Sequence, residues 1–154
     1  MQLFEETDND RRAAMAVLAQ ADSAGIERGL LAADCAAEFV DLRAPEIGLV
    51  MLRGRIGGNG APFNVGEATV TRAAVQLASG EQGFAYILGR DPKKARLAAL
   101  CDALWQAGDS RECIERHVLM PLRAARADRE ARERARTAAT KVDFFTLVRG
   151  EDEA

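Results

Sequence analysis

The chain has 154 residues, 48% hydrophobic and 29% charged, which is enough for one folded domain with its own core and too apolar for a disordered segment. A formal net charge of −3 excludes a general nucleic-acid binder, which is normally basic. No apolar run approaches the roughly 20 residues that span a bilayer, and Met1-Gln2-Leu3-Phe4-Glu5-Glu6 lacks the positive flank and apolar stretch of a secretory signal. Cys35, Cys101 and Cys113 are scattered, without metal-type spacing. They are expected as reduced, idle thiols of a cytoplasmic protein.

In chain order, Thr7-Asp8-Asn9-Asp10 resembles a capping box, and Ala14, Val17, Leu18 and Ala21 then share one helical face. Ile26, Leu30 and Ala33 mark a second short helix after Asp22-Ser23. Phe39 to Arg43 reads as a strand and Ala44-Pro45-Glu46 as the turn after it. Ile47 to Ile56, apolar almost without interruption to Leu52, reads as a second strand covered on both faces. Asn59-Gly60 is a strong hairpin signal, leading to a third strand from about Glu67 to Leu77 and a fourth from Phe84 to Leu88. Short connections imply antiparallel neighbours. Asp91-Pro92 opens a helix with Leu97, Leu100, Cys101 and Leu104 inward. Ser110 is placed to cap a fourth helix, with Ile114, Val118 and Leu122 inward, and Pro121 should break or kink it. The expected fold is therefore α+β: an antiparallel four-stranded meander flanked by N-terminal and C-terminal helices, with an extended helical C-terminal arm. Residues 1–121 form the expected domain; residues 122–154 form the arm and an apolar tail.

The residues exclude several kinds of chemistry. His117 is the sole histidine, so no His-rich metal site exists. Gly57-Gly58-Asn59-Gly60 is followed by neither a Lys-Ser/Thr pair nor a helix, as a phosphate-cradling P-loop requires. The cysteines are too dispersed for an iron–sulfur cluster. No catalytic residue, metal site or cofactor is expected. Arg43, Arg53, Arg55, Arg72 and Arg90 fall on or beside the expected strands. Guanidinium suits phosphate, which makes Arg53, Arg55 and Arg72 candidate phosphate ligands; the plainer expectation is ordinary exposed arginines paired with Glu46, Glu67 or Asp91. From Leu122 to Thr140, arginines alternate with Asp128, Glu130 and Glu133 around a seam of alanines, describing a solvated helix with a narrow docking stripe. Val142, Phe144, Phe145, Leu147 and Val148 crowd the chain end with apolar side chains, as a segment that docks onto a partner would.

Four stretches in this order carry a family likeness across nearly the whole chain: Arg43 to Val50, Gly57 to Ala73, Gly89-Arg90-Asp91, and Val142 to Gly150. Together they resemble the G subunit of bacterial carbon–phosphorus lyase. The resemblance implies a subunit of a multi-protein system for alkylphosphonates, with the H, I, J and L subunits as partners. It implies that the I subunit, with G, H and L, transfers ribosyl triphosphate from a purine nucleotide to methylphosphonate, and that J performs radical cleavage. It carries no catalytic residue onto this chain. Two expectations follow: an assembly subunit, or one whose arginines bind phosphate in a shared active site.

Overall fold

In a computed structural model, residues 2–35, 37–57 and 59–140 are described. Helix α1 spans Gln2–Gln20 and α2 spans Ser23–Ala33. Ala14, Val17, Leu18 and Ala21 are buried as their period predicts, but α1 runs straight through the expected capping box and starts earlier. The real cap is Asp22, whose carboxylate accepts the Gly25 N–H at the start of α2.

The sheet has three antiparallel strands in the order β1 (Phe39–Arg55), β2 (Pro62–Leu77), β3 (Gln82–Leu88). The α+β class holds, but the four-stranded meander is corrected to three strands. Ala44-Pro45-Glu46 does not turn the chain; it lies within β1 as an irregularity, Arg43 pairing with Ala74 and Glu46 with Arg72. Proline cannot donate to a ladder, so within a sheet it is confined to edges and bulges; β1 is an edge strand, and the bulge absorbs it. The hairpin also differs from a two-residue Asn-Gly turn. Its connection lies between Arg55 and Pro62, with Gly57 at φ +63°. The Gly60 N–H donates to the Ile56 carbonyl at 3.1 Å.

Helix α3, Pro92–Gln106, lies across one sheet face. Ala73, Val75, Leu77, Ala85 and Ile87 from the strands meet Ala95, Ala98, Ala99, Cys101, Leu104 and Trp105 from the helix in one core. Alanines let the helix approach closely, and Gly83 completes the fit: a Cβ there would sit 2.0 Å from the Ala99 carbonyl oxygen and 2.5 Å from the Ala103 nitrogen. Beside it, the Asp102 carboxylate, 2% exposed, accepts from Arg11 Nε at 2.8 Å and Nη2 at 2.7 Å and from the Phe84 N–H at 2.9 Å. One carboxylate thus joins α3, α1 and β3.

Helix α4, Gly108–Ile114, follows without the expected Ser110 cap. It passes into a π-helical turn, Glu115–Leu119, and then into α5, Met120–Ala139. Pro121 neither ends the helix nor stands in a regular turn. The preceding five residues widen to π geometry, with the Met120 N–H donating to the Glu115 carbonyl, and proline falls in the first turn of α5, where its missing donor is tolerated. Glu115 anchors the wide turn, accepting from Trp105 Nε1 at 2.9 Å and Arg123 at 2.6 Å. Burial opposes its charge, but the Arg123 and Trp105 donors hold the carboxyl below its ordinary range.

Gly83→Ala should destabilise the domain by about 3 kcal/mol, since helix backbone cannot yield the space. Asp102→Ala should cost about 2–3 kcal/mol, less than a fully buried pair, because Arg11 is 33% exposed. Thermal melts should fall by roughly 5–10 °C in each case; unchanged melting of either variant refutes this account of helix docking.

Candidate functional site

The end of the three-stranded region is fixed by Thr71. Its buried hydroxyl donates to the Gly89 carbonyl at 2.7 Å and accepts the Asp91 N–H at 3.0 Å. Gly89, at φ +94°, donates back to the Thr69 carbonyl at 2.8 Å. Asp91 then caps α3 through the Lys94 N–H at 2.9 Å. The Gly89-Arg90-Asp91 stretch is therefore a corner that turns β3 into α3, and Arg90 stands exposed on it.

Past the last β2–β3 pair, Val70 with Leu88, β1 and β2 continue alone. Leu49 to Arg55 pairs only with Pro62 to Thr69, forming a two-stranded arm beyond the core. The register sorts its side chains, since directly paired residues share a face. Ile47, Leu49, Met51, Arg53 and Arg55 line one face, with Thr71, Thr69, Glu67, Asn64 and Pro62 opposite. Val50 and Leu52 occupy the other, as does Phe63 opposite Gly54. An extra residue, Val65, bulges there against Gly54, where a Cβ would lie 2.6 Å from its methyl group. Ile47, Leu49, Met51, Leu52, Ile56, Phe63 and Val65 are 43–74% exposed. The strand expected to be covered on both faces is, within this chain, uncovered on both.

The candidate phosphate ligands do not converge. Arg53 and Arg55 share a face near the arm's tip, where Arg55 donates to the Gly60 carbonyl at 3.3 Å. Arg72 lies on the opposite face, paired with Glu46, which is seven residues, or roughly 23 Å of strand, from Arg53. Arg72 binds Glu46 at 2.5 Å, and Arg43 reaches the same carboxylate at 3.1 Å. Hydrogen bonding to Tyr86, then to Glu46, pushes the Arg72 guanidinium above its ordinary value. Arg53 has no ion-pair partner among the described residues. The docking candidates Val142, Phe144, Phe145, Leu147 and Val148 lie outside the described residues.

Among the described residues, no group of three or more His, Cys, Asp or Glu side chains could hold a metal ion. No helix there is long and apolar enough to cross a membrane. The groove between the Pro45 bulge and α3 is lined by Phe39, Pro92, Arg96, Leu97 and Leu100. Arg96 is already engaged there, lying 5.3 Å from the Phe39 ring centroid and 3.0 Å from Asp41.

Cys35 and Cys113 both donate to the Ala33 carbonyl, at 3.4 and 3.1 Å. Burial, then its contact with Cys113, pushes the Cys35 thiol up to about 11; burial pushes Cys101 up to about 12. Both folded values exceed the ordinary value of 9.0, so the thiols contribute stability in full below that pH and lose it as pH rises toward 11 and 12. Alkylation of Cys35 by iodoacetamide at pH 8 should run roughly 100-fold slower than in the urea-unfolded chain. Equal rates, followed by peptide mass spectrometry, contradict the assigned environment.

The family model for phosphonate metabolism protein PhnG matches residues 9–150. The chain is 51% identical over 143 residues to the alpha-D-ribose 1-methylphosphonate 5-triphosphate synthase subunit PhnG of Rhizobium meliloti (strain 1021). That alignment covers 92% of this chain and 90% of the relative.

Proposed function

The chain belongs to the PhnG family of phosphonate metabolism proteins, the family of the carbon–phosphorus lyase G subunit, and from that footing we propose that it is an assembly subunit of a cytoplasmic ribose 1-methylphosphonate 5-triphosphate synthase. In this reading its partners are the H, I, J and L subunits. It supports transfer of ribosyl triphosphate from ATP to methylphosphonate, with release of adenine, and supplies neither nucleophile nor general base. The observation that carries the reading is the two-stranded arm, whose large apolar side chains stand open to water. A lone hairpin is marginal in water, and a stable monomer gains nothing from extending one.

Residues 1–121 serve in this proposal as the body, and residues 122–154 as an appended arm and tail. Helix α5 supports it: none of its residues is buried, and residues 131–140 are exposed throughout. The tail residues Val142, Phe144, Phe145, Leu147 and Val148 would dock on a partner groove or sheet edge. Burying five such side chains yields roughly 7–15 kcal/mol, while ordering eight residues costs roughly 8–16 kcal/mol; a partner's hydrogen bonds tip the balance. The competing reading gives Arg53, Arg55 and Arg72 direct phosphate contacts. Arg53 and Arg55, which have no carboxylate partner among the described residues, support it more than Arg72, which is occupied by Glu46.

The purified chain, given ATP and methylphosphonate, should release no adenine; sustained turnover after removal of contaminants overturns the assembly reading. Truncation after Thr140 should preserve the circular dichroism of a folded domain and abolish co-purification with the I and J subunits. Full stoichiometry in the truncated complex rules out the tail as the docking element. Arg53→Ala combined with Arg55→Ala should leave turnover per assembled complex within about two-fold of wild type. A drop of roughly ten-fold or more in fully assembled complexes, the size expected for a lost charge-assisted bond, would favour the phosphate reading.

A further inference from the structure

The arm differs in charge from the chain that carries it. Leu49 to Arg55 and Pro62 to Thr69 carry two arginines, Arg53 and Arg55, against one acid, Glu67, which pairs with Met51 at the arm's base side. The whole chain is net −3. Both arginines lie on one face near the tip, and the apolar residues divide between two faces. A flat partner surface would cover one face and leave the other wet. Seven large apolar residues there are 43–74% exposed, a concentration of open apolar side chains that marks an interaction surface.

We infer that the β1–β2 arm, Leu49–Arg55 with Pro62–Thr69, inserts into an apolar slot on another subunit of the same synthase, with carboxylates of that subunit meeting Arg53 and Arg55 at the slot's inner end. The inference rests on the proposed subunit role and adds the surface and the chemistry of its partner. Each face has its own function. Ile47, Leu49 and Met51 would seal one wall, and Leu52, Phe63 and Val65 the other. Gly48 and Gly66, where a Cβ would meet nothing within 4 Å, leave shallow positions on the second face into which partner side chains fit. The bulge at Val65 adds to the strand twist and gives the arm a shape that a straight extra strand would not match, so insertion between walls is favoured over edge-to-edge pairing.

The test compares the two faces in the full-length chain co-expressed with the H, I, J and L subunits. One variant carries Leu49→Asp with Met51→Asp, the second carries Leu52→Asp with Val65→Asp, and the third carries Arg53→Glu with Arg55→Glu. All six side chains are exposed, so each variant should melt as the wild-type chain does. Hydrogen exchange of the wild-type arm, with and without partners, provides a readout that needs no variant. Each apolar variant should weaken association by roughly ten-fold or more. The charge-reversed variant should weaken it too and lose its salt dependence, and arm amides on both strands should gain protection in the complex. Loss in only one apolar variant replaces the slot with a flat contact. Wild-type association in all three, with no gain in protection, removes the arm from the interface while leaving the subunit role intact. Failure of the wild-type chain to associate removes both. Self-association of the isolated chain abolished by the same variants, or binding of the wild type to phosphatidylserine vesicles, would assign the arm to a second copy or a lipid surface and overturn the inference.

Discussion

The close seating of α3 on the sheet is the constraint from which the other elements take their positions. Gly83 brings the helix backbone within reach of β3, because any side chain there would collide with the Ala99 carbonyl. That proximity lets Asp102 accept the Phe84 N–H while holding Arg11 of α1. A buried carboxylate is costly unless it is paired and hydrogen-bonded, and here both requirements are met by elements distant in sequence. The core thus gains a fixed relation among α1, β3 and α3 that apolar contacts, being non-directional, do not specify.

Rigidity at that end makes the reach of the other possible. Thr71 ties β2 to the Gly89–Asp91 corner, and this is where β3 stops while its neighbours continue. The central strand is therefore half core and half arm. Its inward positions, Thr71, Val75 and Leu77, are closed to solvent, whereas Pro62 to Glu67 are open. A slender element emerging from a well-fixed base is aimed by that base.

Much of this was legible in the chain itself. The periods of α1, α2 and α3, the Asp91-Pro92 start and the antiparallel pairing all follow from local rules that tertiary context did not override. The strand count was not legible, because Ala44-Pro45-Glu46 has the chemistry of a turn and only the edge position of β1 lets it be a bulge. The arginines show the same limit. Alternation correctly put Arg53 and Arg55 on one face, but the register that sets Arg72 on the other and gives it Glu46 depends on the shift between Leu52 and Arg53, which no local pattern displays. The exposed arm was hidden for a different reason: an apolar run is read as burial within the chain that carries it, and here the run stands exposed in that chain.

The π-helical turn before α5 has a geometric consequence. An α-helix advances about 100° per residue, and a π turn admits one residue beyond the regular count. Everything after Leu119 is therefore rotated by roughly 100° relative to a helix without the wide turn. The alanine seam and the arginine rows of α5 owe their azimuth to that single surplus residue. Removing one residue between Glu115 and Leu119 would straighten the ladder, return Pro121 to an unfavourable setting, and swing the alanine seam about a quarter-turn around its axis.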